Sequence, residues 1–173
     1  MTQFCRGHRA AFHPVAVEEA LFQNAPTLRH YTREMYYRLL ACHLLPPTMS
    51  RVLYLDPDTL VINPLRHLYE LDLQGNLFAA APHTNITGLS ENVNRIRLGT
   101  TSNYYNSGVL LMDLNALRRE IVPETIFNFF ELHARELILP DQDVLNGLYG
   151  KQILELNDAV LNYDARNYNT YFI

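Results

Sequence analysis

A chain of 173 residues, 48% apolar and 18% charged, is long enough for one domain with a sizeable core and too apolar for a disordered segment. Its net charge of −4, with no basic stripe, argues against a non-specific nucleic-acid surface. No apolar run reaches the length of a membrane span, no cleavable signal pattern opens the chain, and Cys5 and Cys42 make neither a disulfide framework nor a metal motif, so a reducing cytoplasm is the default compartment.

Pro14 and the apolar residues Val15, Val17, Leu21 and Phe22 predict a short helix over 14–24. Thr32 is a candidate N-cap for a second helix over 32–44, with Met35, Tyr36, Leu39, Leu40 and His43 at helical spacing, and Pro46-Pro47 stops it. A strand over 51–55 follows, then an Asp-Pro-Asp turn, a β-branched segment at 59–62 and a short helix over about 64–71. Residues 77–81 read as a small strand ending at Pro82-His83. The polar stretch 83–103, which includes the formal glycosylation acceptor at Asn85, has little periodicity and reads as a functional loop or lid. A strand over 109–112 comes next. Asn115 is placed to cap a helix that Pro123 interrupts, and a further helix over 124–137 carries Ile126, Phe127, Phe130, His133 and Leu137 on its apolar face. His133 there reads as a packed core residue. A helix over 143–149 and a strand over 152–156 close the pattern. Alternating helices and strands predict one α/β domain spanning 1–173 around a mostly parallel mixed sheet.

The most informative stretch is Arg51-Val52-Leu53-Tyr54-Leu55-Asp56-Pro57-Asp58. Buried strands do not normally finish on two like charges. Asp56 and Asp58 offer hard oxygen ligands at a strand's carboxyl end, where a divalent metal could grip a substrate diphosphate. The plainer alternative is a type I turn with Asp capping and Pro presetting φ. Asp141-Gln142-Asp143 is the second cluster. Capping and the helix dipole explain its acids, whereas Gln142 between them offers an amide carbonyl able to stabilise developing positive charge. Asn106-Ser107-Gly108 permits close backbone approach to a ligand or makes an ordinary turn. Arg38 is either a salt-bridged helix residue or a bidentate diphosphate contact.

The order of these motifs carries more information than any one of them. Tyr36-Tyr37-Arg38-Leu39, the Asp56-Pro57-Asp58 strand end, Tyr105-Asn106-Ser107-Gly108-Val109-Leu110-Leu111 and Asp141-Gln142-Asp143-Val144-Leu145-Asn146 follow one another in a series that resembles glycosyltransferase family 8. Within it, the series looks most like the bacterial lipopolysaccharide galactosyl- and glucosyltransferases. The resemblance implies the GT-A fold, a Rossmann-like nucleotide-diphosphosugar domain. It also implies a UDP-hexose donor, a saccharide or lipopolysaccharide acceptor, Mn²⁺ (or Mg²⁺) and transfer with retention of configuration. Residue by residue, it implies that Asp56 and Asp58 bind the metal and that Arg38, Asp56 and Asn106 contact the donor. It implies that Asp141 holds sugar hydroxyls and that Gln142 lies beneath the anomeric carbon.

Against the family pattern the chain is expected to be truncated at both ends. The uridine-binding βαβ unit precedes its first motif, the C-terminal metal-ligand histidine segment follows its last, and His83 stands at a position where relatives carry an acid. The expectation is therefore a hexosyltransferase domain, with an inactive nucleotide-sugar-binding or interaction module as the alternative. A completing chain or homo-oligomer is an expected partner. The location expected is cytoplasmic, with peripheral attachment to the inner membrane face left open.

Overall fold

The computed structural model describes residues 1–8, 10–26, 33–82 and 88–163, so the expectations for Thr32, His83 and Asn85 fall outside the described residues. In chain order the elements are α1 (Thr2–Gly7), α2 (Met35–Leu39), α3 (Ala41–Leu44), β1 (Arg51–Leu55), α4 (Arg66–Tyr69) and β2 (Phe78–Ala80). They continue with α5 (Gly88–Leu98), β3 (Val109–Asp113), α6 (Leu114–Glu120), α7 (Pro123–His133), α8 (Pro140–Tyr149), β4 (Ile153–Glu155) and α9 (Asp158–Leu161).

The strands alternate between two cores. Phe78 and Ala80 of β2 and Leu110 and Met112 of β3 face a large cluster shared with Tyr36, Leu39, Phe127, Phe130 and Leu145. Ala79, Val109 and Leu111 face a smaller cluster built around Leu68, Leu73 and Leu156. A sheet covered on both faces needs apolar side chains at successive positions, which is why β2 and β3 read as unbroken apolar runs.

The four strands lie in the order β1-β3-β2-β4. The sheet is mixed, as expected, but parallel pairing is not its majority. β1 and β2 each pair antiparallel with β3, and only β2 and β4 pair in parallel. Three strands therefore run one way, and β3 is inserted between two of them in reverse. The alternation of helices and strands conceals this, because periodicity carries no information about strand direction.

Four other expectations change. The 14–24 helix contracts to a single 3₁₀ turn, Glu19–Phe22, because Phe22 is buried while Val15 remains exposed. The 32–44 helix divides at Leu40, whose φ of −102° and ψ of 16° leave the α region. The β-branched segment at 59–62 stays outside the sheet, with Leu60 and Ile62 projecting into solvent. Asp113 rather than Asn115 caps α6, its side chain accepting from the Ala116 amide at 2.9 Å.

The polar loop expected over 83–103 contains a helix, α5. Its inward side mixes apolar and polar groups: Leu98 and Asn94 are buried and Arg97 pairs with an acid on α8, while Val93 and Ile96 face outward. A helix that buries polar groups beside an apolar one and exposes Val93 and Ile96 does not register as helical hydrophobicity. Against α8, Gly147 lets the Phe129 ring of α7 approach so closely that a Cβ would collide with it.

Candidate functional site

The antiparallel pairing of β1 with β3 positions the site. Leu55, the last residue of β1, stands opposite Val109, the first of β3. The residue after one strand therefore meets the residue before the other, and the Asp56 amide donates to the Gly108 carbonyl at 2.8 Å. This register places Asn106-Ser107-Gly108 against the Asp-Pro-Asp turn. The Asn106 amide adds a bond to the Ala81 carbonyl at 2.9 Å, fixing the same segment beside the end of β2.

Helix α8 grips that segment from the other side. The Asn146 side chain accepts from the Tyr105 amide at 2.7 Å and donates to the Tyr105 carbonyl at 2.8 Å, mimicking a strand partner. Ser107 donates its amide to Gln142 Oε1 at 3.2 Å and its hydroxyl to Asp141 Oδ2 at 3.1 Å. One turn of helix thus brings both residues of the predicted pair onto one serine.

Arg38 of α2 enters between the two acidic motifs. Its Nη2 lies 2.8 Å from Asp56 Oδ1, and its Nη1 donates to Asp56 Oδ2 at 3.3 Å. Nη1 also lies 3.0 Å from Asp141 Oδ2 and within reach of the Ser107 carbonyl and hydroxyl at 3.2 and 3.0 Å. The guanidinium carbon sits 4.9 Å from the centroid of the Tyr54 ring, a cation–π contact. The Tyr54 hydroxyl donates to Asp56 Oδ1 at 2.6 Å. Burial, then the hydrogen bond to Asp56, pushes this phenol well above its ordinary pKa, so it stays protonated and keeps donating.

The structure thus brings Arg38, Asp56, Asn106, Asp141 and Gln142 together through Ser107 and Gly108. Asp58 lies in the exposed turn after β1. Asn106 Oδ1 accepts from the Gly108 amide at 2.7 Å and from the Asn162 side chain at 3.0 Å. Gln142 is buried. Its Oε1 is oriented by the Ser107 amide, because the reverse orientation would face two donors together. His133, expected in the core, lies at the end of α7, stacked on Phe129 and 2.9 Å from Glu136 Oε2.

Sequence reasoning missed three supporting residues. Asp143 is fully buried and meets Arg97 through two contacts of 2.7 Å, the Tyr104 hydroxyl at 2.6 Å and the Ile138 amide at 2.7 Å. Burial alone would raise its carboxyl pKa. Hydrogen bonds from Arg97, Tyr104 and Ile138, with the Arg97 charge, outweigh that and hold it below the ordinary value. Asn146 and Asn162 are the other two. All three are short polar residues whose role depends on what they meet across the fold; the motif Asp141-Gln142-Asp143-Val144-Leu145-Asn146 contains two of them without showing their supporting roles.

Carboxylate oxygens suit Mg²⁺ or Mn²⁺, which accept one or two protein carboxylates and fill the remaining positions with water and substrate phosphate. Asp56 and Asp58 fit that donor set. Among the described residues, no group of three or more His, Cys, Asp or Glu side chains is arranged to hold a metal ion.

A family profile described as "Glycosyl transferase family 8" matches residues 7–165. General stress protein A of Bacillus subtilis is 30% identical over 144 residues, covering 82% of this chain and 49% of the relative. The lipopolysaccharide 1,2-glucosyltransferase of Escherichia coli is 32% identical over 155 residues, covering 87% and 42%. The crystal structure of galactosyltransferase LgtC, in complex with donor and acceptor sugar analogues, superposes with a TM-score of 0.76 at 28% identity, covering 90% of this chain and 56% of that one. The chain spans about half the length, or less, of the relatives it matches.

Proposed function

The chain belongs to glycosyl transferase family 8 and carries the GT-A fold, and from that premise we propose that it provides the acidic donor-sugar side of a retaining hexosyltransferase. The reaction proposed moves galactose or glucose from a UDP-sugar to a glycan or lipopolysaccharide acceptor. The observation that carries this reading is the convergence of Arg38, Asp141 and Gln142 onto Ser107, with Asp56 drawn to the same point by its contacts with Arg38 and Gly108. Packing alone does not call for four polar side chains to meet at a strand end.

In this reading Asp56 and Asp58 hold Mn²⁺ or Mg²⁺, which neutralises the diphosphate as a leaving group when bound. Arg38, Asp56 and Asn106 orient the donor, and Asp141 holds its hydroxyls. Gln142 presents an uncharged amide, a poor nucleophile, to the reacting face. Retaining hydrolases place a carboxylate there and form a covalent intermediate. An amide instead fits a same-face displacement. The bond from the anomeric carbon to the diphosphate breaks, positive charge develops opposite the amide dipole, the acceptor oxygen bonds to that carbon, and its proton passes to a diphosphate oxygen. Electrostatic stabilisation then outweighs acid–base work by protein groups.

Titration with UDP in the presence and absence of Mn²⁺ tests the reading. Micromolar, metal-dependent binding with hydrolysis or transfer of UDP-galactose or UDP-glucose supports it. Absence of any UDP binding overturns it. UDP binding without turnover supports the second reading, a nucleotide-sugar-binding or interaction module. Among the described residues no helix is long and apolar enough to cross a membrane.

A further inference from the structure

Both oxygens of Asp56 already have donors. Arg38 contacts each of them, at 2.8 and 3.3 Å, and Tyr54 adds a bond of 2.6 Å to Oδ1. The Arg38 and Asp56 side chains are only 17% and 25% exposed, so water screens their attraction weakly. The guanidinium is itself held in place by Asp141, by Ser107 and by the Tyr54 ring. Asp56 is therefore a carboxylate with a resident cation.

We propose that Arg38 is a built-in counter-ion that withholds Asp56 from a bare divalent ion and yields it to one arriving with a diphosphate, so that metal and nucleotide enter the site together. This deepens the glycosyltransferase reading and rests on it. A hydrated cation approaching Asp56 competes with the guanidinium for the same lone pairs and repels it, and offers nothing in exchange. An ion already bound to diphosphate brings oxygens that accept bidentately from a guanidinium fork, replacing what Arg38 gives up. Metal and nucleotide affinities are then coupled through one side chain, and the coupling is reciprocal. The arrangement also keeps Asp56 and Asp141 from facing each other as unpaired like charges while the site is empty.

The test measures Mn²⁺ binding by the paramagnetic resonance of the free ion, with and without UDP, on the full chain and on Arg38→Met. Methionine keeps an unbranched apolar stem beside Tyr54 and removes the charge. The expected result is a rise of about tenfold in affinity for Mn²⁺ alone, the scale of one partly screened charge contact, with a fall of similar size in the factor by which UDP tightens Mn²⁺. Unchanged or weaker binding of Mn²⁺ alone by a folded Arg38→Met protein overturns the proposal. Circular dichroism establishes folding. Arg38→Lys keeps the charge and loses the fork, so it serves if methionine is not tolerated. Lysine is expected to leave affinity for Mn²⁺ alone near that of the unaltered chain while weakening the UDP effect, and an unweakened UDP effect overturns the proposal. If the unaltered chain binds Mn²⁺ and UDP together but Arg38→Met shows no gain for the ion alone, the counter-ion role fails and the glycosyltransferase reading stands. If the unaltered chain binds neither, both fail.

Discussion

Gly108 and Asp56 touch twice: the Asp56 amide donates to the Gly108 carbonyl at 2.8 Å, and a Cβ built on Gly108 would lie 2.8 Å from Asp56 Oδ2 and 3.0 Å from Asn106 Oδ1. The space a side chain would fill is occupied by the carboxylate that Arg38 holds. Gly108→Ala must therefore shift Asp56 or the backbone. The expected loss is about 1–3 kcal/mol by urea denaturation, together with weaker metal-dependent UDP binding. Stability and binding both equal to those of the unaltered chain would show that the contact is slack.

Asp143 secures the start of α8 to α5 and to Tyr104. Asp143→Asn leaves the Arg97 guanidinium, only 12% exposed, without its counter-charge, and should cost about 3–5 kcal/mol by denaturant unfolding. The pH dependence has a defined sign. The folded-state pKa is held below the ordinary value of 3.8, so the unfolded chain binds the proton more readily. The stabilisation is complete above the ordinary carboxylate range and disappears as pH falls through the lowered folded-state value. The gap between the unaltered chain and Asp143→Asn should narrow on acidification, and a constant gap would refute the assignment.

Asn146 supplies both partners of the buried Tyr105 backbone. Asn146→Leu keeps the branching and the number of side-chain heavy atoms, though with bulkier methyl groups, and strands one donor and one acceptor. It should destabilise by about 1–3 kcal/mol and raise amide hydrogen exchange at Tyr105 selectively. Unchanged exchange at that amide would mean that water substitutes without penalty.

Gln142 carries the mechanistic claim. If its carbonyl stabilises positive charge at the anomeric carbon, Gln142→Ala should lower turnover of a UDP-hexose by about 10²–10³-fold, the range seen for loss of one electrostatic stabiliser. UDP binding should change little, since the nucleotide lies away from the amide in this reading. Undiminished turnover would remove Gln142 from the mechanism.

The two thiols should separate chemically. Burial pushes the Cys42 thiol up to about 11, an effect that the Arg118 charge and two backbone hydrogen bonds only partly offset. A neutral-pH thiol reagent should modify Cys5, which is partly exposed, and reach Cys42 only on unfolding. Two native-state equivalents of equal rate would contradict the packing around Cys42.

By itself the sequence determined the chemistry available and its order along the chain. β1 and the start of α8 were readable because each couples a local pattern to an abrupt change in polarity, and the motif series pointed to the family that residues 7–165 match. Only the tertiary structure decided how these pieces meet. Had the sheet been mostly parallel, the residues before β3 would lie at the opposite edge from Asp56; the reversed β3 puts Asn106, Ser107 and Gly108 beside it. The burial of Asn94 on α5 and the partners of Asp143 and Asn146 were likewise settled across distance. Periodicity records which face a residue takes, but not which strand direction or which distant charge will satisfy it, because those depend on contacts between segments that the local pattern does not encode.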